Sequence, residues 1–175
     1  VSILQRLFRD GTDRARLRPL YEAIVAEARS PVWYREGGVA DTVDGRFDMI
    51  AAILSLVLIR LEADGASGRA PAALLTESFI ADMDGQLREL GMGDVVVGKH
   101  MGKMVGALGG RLDAYRRTID KQDTGLEEAL VRNLYRDVPP TPEALALVAA
   151  RLRRSFELLY VTPAADLLAG WMPKP

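Results

Sequence analysis

The sequence of 175 residues contains no cysteine and one histidine, His100. Without cysteine there are no disulfides, no thiolate metal sites and no cysteine nucleophile, which fits a reducing compartment. A single imidazole excludes any site built on two, including the His-Glu-x-x-His zinc pattern. Serine and carboxylate chemistry stay open. Long hydrophobic runs are also missing. The most apolar stretch, Met49 to Ile59, is bounded by Asp48 and Arg60 and falls well short of the roughly 20 residues that a membrane span requires. Neither sign of charge dominates: 23 basic residues face 24 acidic ones, so bulk electrostatics favours neither nucleic acid nor a cationic partner. No cleavable signal is legible at Val1.

What is present is helical spacing, with little strand alternation. SILQRLFRD reads as a short amphipathic helix ending at Gly11. RPLYEAIVAEARS reads as the next, with Pro19 in its first turn and Leu20, Ile24 and Ala28 on one face. Residues 31–45 read as an irregular connection, long for a helical domain. From Arg46 to about Ala63 a helix is apolar almost all round, as a central element with neighbours on most sides would be. DGASGRAP reads as a turn, and Pro71 opens a helix through Leu90. Further helices are expected from Asp94 to about Lys121, over TGLEEALVRNLYRD, and from the Thr141 cap with Pro142 in its first turn. TPAADLLAG repeats the Thr-Pro start. The expectation is one all-α domain over residues 1–175, of six to eight helices around a buried central helix.

The run from Gly93 to His100, G-D-V-V-V-G-K-H, is one residue away from a nucleotide-phosphate loop, G-x-x-x-x-G-K-[ST]. Such a loop follows a strand, and its hydroxyl residue holds magnesium. Here the preceding segment has helical periodicity and His100 replaces the hydroxyl. The better reading is a helix ended by Gly91, then a helix begun at Asp94 that carries Lys99. Gly98, Gly102, Gly106 and Gly110 recur every fourth residue, with Ala114 continuing the row. Each glycine costs a helix about 0.8–1.0 kcal/mol relative to alanine, so something should offset the row. Three readings stand: a tight contact with another helix of the domain, a groove for a partner's helix, or a break at Gly109-Gly110. On the same helix Val97, Met101, Met104, Val105, Leu108, Leu112 and Tyr115 share one face.

Asp41, Thr42, Asp44, Arg46 and Asp48 crowd the start of the apolar helix. They lack an activated nucleophile or a partnered acid and base. The plain reading is helix capping plus an Arg46 salt bridge. The functional one is a surface recognition loop with Trp33 and Tyr34, since aromatics and arginine anchor interfaces. Asp84 and Arg88 can pair four apart on a helix, whereas Asp82 and Asp84 point to different sides and make a poor cation site. Lys99, Lys103, Arg111, Arg116, Arg117 and Lys121 make one helix locally basic, and Arg6, Arg9, Arg14, Arg16 and Arg18 do the same near the N-terminus. Either is a solvated face, or it meets anionic lipid or ribosomal RNA phosphates. No catalytic, metal or cofactor-binding set emerges.

Three segments carry a resemblance: LYEAIVAEARSPVWYREGGVADTVDGRFDMI, DMDGQLRELGMGDVVVGKHMGKM and GRLDAYRRTI, within residues 20–119. The combination D-T-x-D-G-R-F-D followed by D-M-D-x-x-L-R-E-x-G-x-G-D resembles the ubiquinol–cytochrome c chaperone family, and the chain is similar to its compact alphaproteobacterial form. The resemblance implies a non-catalytic assembly factor for respiratory complex III that binds newly made cytochrome b. It also implies a ribosome or small-protein partner and a place on the cytoplasmic side of the inner membrane, the matrix side for mitochondrial relatives. No cofactor and no sequence-specific nucleic acid are expected. The client surface is expected at Trp33, Tyr34, Asp41, Arg46, Phe47, Arg88, Lys99, Gly102, Lys103, Gly106 and Arg111. The rival reading is a helical carrier whose apolar centre takes a lipid or another amphipathic ligand, and the methionines at Met101 and Met104 suit either.

Overall fold

The computed structural model describes the backbone of residues 3–89, 91 and 94–175, and the side chains of residues 15–86, 88–89, 91 and 102–175. Among these residues there is no strand. Eight helices follow in order: α1 (Ile3–Ala28), α2 (Pro31–Arg35), α3 (Val43–Ala63), α4 (Ala66–Glu89), α5 (Asp94–Thr118), α6 (Gly125–Asn133), α7 (Pro142–Val161) and α8 (Ala164–Leu168). The all-α expectation stands, and α3 is the central helix, packed on α1, α4, α5 and α7.

Helix α3 is central because its sequence leaves it no polar face. Every residue from Phe47 to Leu61 is buried, so each turn meets a neighbour rather than water. Its start is fixed by Thr42, whose Oγ1 accepts a hydrogen bond from the Gly45 amide at 3.1 Å. Gly45 is obligatory there, because a Cβ would collide with the Ala40 carbonyl oxygen. Helix α7 starts the same way, with Ala144 N donating to Thr141 Oγ1 at 3.3 Å and Pro142 at the first helical position.

The helix boundaries differ from expectation in three places. Residues 3–28 form one helix, so Gly11 ends nothing and Pro19 lies inside α1. Likewise α4 begins at Ala66, and Pro71 is internal. Each proline removes one helical hydrogen bond, and tertiary packing overrides that local cost. At Pro19 the packing is visible: Gly170, at φ +95, seats the C-terminal turn so closely that a Cβ would lie 2.6 Å from Pro19 Cβ. The third difference is the connection expected over residues 31–45, which holds α2 and only a short link before α3. Pro31 pre-sets the first turn of α2, whose Trp33 is fully buried.

Candidate functional site

Ten of the eleven residues expected at the surface divide into core, ion-pair and exposed groups, and the side chain of Lys99 lies outside the described residues. Trp33 is fully buried, so its expected surface role is corrected. Its Nε1 donates to the Glu27 carbonyl at 2.9 Å, and the Arg151 guanidinium lies 5.3 Å from the ring centroid. Phe47 is likewise a core residue, 5.5 Å from the Phe79 ring. Arg111 is withdrawn as well. Its guanidinium stands 5.6 Å from the Phe47 ring centroid, and Nη2 donates to buried Asp48 at 2.7 Å.

That carboxylate organises one side of the molecule. Asp48 has no solvent exposure and accepts from Arg111 on α5 and from Arg136 Nε, each at 2.7 Å. Arg136 also reaches Asp44 at 2.7 Å. Burial pushes the Asp48 carboxyl up, and the two arginines pull it back toward the ionised form. Arg136 and Asp137 sit at φ 52 and 63, a left-handed backbone costly for non-glycine residues. The ion pairs and the bond from Asp137 N to the Val131 carbonyl at 2.9 Å hold them there. Arg111 Nε adds a bond to the Asn133 carbonyl at 3.2 Å, so one arginine ties α3, α5 and the end of α6 together. The expected polar cluster at the mouth of α3 is thus partly a structural clamp.

Tyr34, Asp41 and Arg46 do come together. They share a hollow of about 370 Å³ with Arg29, Pro31 and Arg35. Arg46 Nε donates to Asp41 at 2.7 Å, with both side chains more than half exposed. Tyr34 OH donates to the Ala28 carbonyl at 2.8 Å, and burial raises its pKa. Arg29 and Arg35 were missed in the sequence reading. Their signal was the placement of two arginines on either side of the short Pro31–Tyr34 stretch.

On α4, Arg88 Nε donates to Asp84 at 2.7 Å, as its spacing implies. Asp82 instead accepts from Tyr21 OH of α1 at 2.7 Å, so the two aspartates serve different partners. Among the described residues no group of three His, Asp or Glu side chains could hold a metal ion. Asp94, which opens α5, follows a helix rather than a strand, with Gly91 at φ +78 between the two, as the phosphate-loop argument required.

The described part of the glycine row is open, and Gly98 lies outside the described side chains. A Cβ built on Gly102, Gly106 or Gly110 meets nothing within 4 Å, so the tight intradomain contact is overturned. The helix does not break at Gly109-Gly110 either, since α5 runs on to Thr118. Lys103 and Val105 are exposed on the same stretch, while Leu108 and Tyr115 face inward. Val105 thereby leaves the apolar face assigned to it. The side chains of Lys99, Val97 and Met101, and those of Arg6, Arg9 and Arg14, lie outside the described residues.

Fold and site define an all-helical domain with a clamped interior, an arginine-rimmed hollow and one helix face bare of side chains. The family model described as "Ubiquinol-cytochrome C chaperone" matches residues 35–172. The crystal structure of the Cbp3 homolog from Brucella abortus is similar at a TM-score of 0.81, with 33% identity over 99% of this chain and 97% of that one. No curated protein matches. The chain belongs to the ubiquinol-cytochrome C chaperone family. The match runs through α6 and α7 into the C-terminal turn, beyond residues 20–119 that carried the resemblance.

Proposed function

We propose that this protein is a non-catalytic chaperone that holds newly made cytochrome b and assists assembly of the ubiquinol–cytochrome c reductase complex. The family match over residues 35–172 is the observation that carries the reading. A client made of membrane helices exposes apolar surface that aggregates in water, and a surface mixing apolar area with charge can cover it reversibly. The surface assigned to the client comprises Tyr34, Asp41, Arg46, Arg88, Lys99, Lys103 and the open α5 face at Gly102 and Gly106. Absence of side chains at those glycines leaves room for a partner helix to approach the backbone. No helix among the described residues is long and apolar enough to cross a membrane. In this reading the chain works at the cytoplasmic periphery of the inner membrane, the basic N-terminal segment meeting anionic lipid, with a ribosome or small protein as further partner.

A lipid carrier would need an apolar chamber. Side chains of α3 fill the centre instead, and the cleft of about 690 Å³ beside α7 is an open, mixed surface where Ile59, Ile119 and Phe156 stand beside Arg116, Arg153 and Glu157. Deleting the gene tests the chaperone reading. Assembled complex III and its haem b absorbance should fall while other respiratory complexes persist. A deletion strain with a normal haem b spectrum and normal quinol–cytochrome c activity would falsify it.

A further inference from the structure

We infer that the hollow between the end of α1, α2 and the start of α3, with the groove that continues from it along α1, docks an acidic amphipathic segment of a protein partner. This deepens the chaperone reading and rests on it for the partner's role, while the chemistry rests on the groove itself.

The charge balance of the hollow is lopsided. Arg29, Arg35 and Arg46 line it against one carboxylate, Asp41. Arg46 and Asp41 already satisfy each other. Arg29 and Arg35 are exposed and have no acidic partner among the described residues. Guanidinium groups around a recess suit carboxylates, which they bind through paired, charge-assisted hydrogen bonds. The protein as a whole carries a formal net charge of −1, so this surplus of positive charge is local.

Polarity changes along the groove. Arg29 also lines a second hollow of about 430 Å³, formed with Tyr21, Val25 and Ala26 of α1 and Asp82 of α4. Charges at that end are already engaged, Arg18 with Glu22 and Asp82 with the Tyr21 hydroxyl, each at 2.7 Å. What it offers is the half-buried flank of Val25 and Tyr21 beside exposed Ala26. A fitting segment therefore puts an apolar side chain over Val25 and its acidic residue between Arg29 and Arg35. Two recesses that meet at Arg29 suit a peptide. A bilayer is flat and would reach exposed arginines without a recess.

The full chain is titrated with a fluorescein-labelled amphipathic peptide bearing leucines on one helical face and glutamates on the other, and with its glutamine counterpart. The glutamate peptide should bind about tenfold more tightly, the worth of one charge-assisted contact. Arg35→Glu and Arg29→Gln should each remove that preference, and Arg154→Glu on α7 should not. A photoreactive residue at Ala26 should crosslink the glutamate peptide. Equal affinity for the two peptides overturns the inference. So does an equal loss in Arg154→Glu, which would mean diffuse attraction. Binding of phosphatidylglycerol vesicles, lost in Arg35→Glu while peptide binding stays unchanged, would assign the arginines to lipid and overturn it too. A deletion strain with normal complex III would remove the client reading and leave these affinities standing. Equal affinities would remove the groove and leave the client reading standing.

Discussion

Helices α3 and α5 pack against each other and have opposite constructions. From Phe47 to Leu61 no residue of α3 reaches solvent appreciably, and the one carboxylate in that span, Asp48, is clamped by two arginines. Helix α5 presents Leu108 and Tyr115 to that same interior but leaves Lys103 exposed and, among the described residues, nothing within 4 Å of a Cβ built on Gly102, Gly106 or Gly110. Side-chain volume is spent where it removes water from the core, and it is withheld on the outer face of α5. Glycines at a helix contact are explained by close approach, as at Gly45 against Ala40. Gly102, Gly106 and Gly110 have no such contact among the described residues, so nothing there offsets their helix-propensity cost. The two helices therefore divide between holding the fold and shaping a surface.

Breaking the clamp tests the first half of that contrast. Asp48→Asn leaves Arg111, which is only 12% exposed, without its counter-charge. Unfolding in urea should register a loss of about 3–5 kcal/mol, the cost of breaking a buried pair on one side. Removing both charges, in Asp48→Asn with Arg111→Met, should cost less than Asp48→Asn alone. If Asp48→Asn unfolds at the parent midpoint, the clamp is decoration and α3 stands on apolar packing alone.

The second half predicts the opposite sign. Gly102→Ala and Gly106→Ala should each raise stability by about 0.8–1.0 kcal/mol, the helix propensity recovered without a clash. Even Gly102→Leu should leave the melting temperature at or above the parent value, where overpacking would have cost about 1–3 kcal/mol. In cells the leucine variant should capture less cytochrome b. A clear drop in stability would place a helix on the row and erase the contrast with α3. Unchanged stability with unchanged capture would remove the row from the binding surface.

These contrasts were unequally legible in the sequence. Helix α3 was readable because a run without a polar face has only one physical solution, burial, whatever its neighbours. The Thr141 cap was local and readable, whereas Thr42 was one of five polar residues at a helix start expected at Arg46, and α3 begins at Val43. Gly11, Pro19 and Pro71 misled, because glycine and proline express local preference and α1 and α4 are held by tertiary packing. Trp33 and Phe47 misled for another reason: residue type alone does not separate an interface aromatic from a core aromatic. Arg136 could not be found at all. Its partner Asp48 lies far along the chain, and its backbone is left-handed without glycine. The glycine row was seen at once, but its openness depends on what packs nearby, which periodicity does not encode.

A smaller effect comes from the pair joining α6 to α7. Arg153 donates to Glu127 at 2.9 and 3.0 Å, and those bonds hold the Glu127 carboxyl below its usual range. A carboxyl whose folded pKa lies below its unfolded one favours the fold above the unfolded value, and that gain is lost as pH falls through the folded one. Glu127→Gln should flatten the acid limb of stability against pH and lower stability slightly at pH 7. If the acid limb keeps its slope, the pair adds nothing to folding.

The smallest effect on stability, with a large one on function, is expected two residues before Asp48. Arg46 and Asp41 are bonded at 2.7 Å, yet their side chains are 57% and 61% exposed, and solvent screens such a pair almost completely. Arg46→Glu should therefore melt with the parent protein and keep its helical circular dichroism. Its charge change falls in the hollow that Arg29 and Arg35 line, so capture of cytochrome b and the haem b absorbance of the strain should both decline. Arg88→Glu on α4 should produce a partial decline of the same kind. Asp48→Asn, in contrast, should lose capture only in proportion to the folded protein it loses. That separation is what the contrast between a clamped interior and a working surface requires. Should Arg46→Glu lose stability as Asp48→Asn does, the mouth of α3 would belong to the core. Should it retain both stability and capture, the client surface would have to lie elsewhere on the molecule, with the open face of α5 the part left to test.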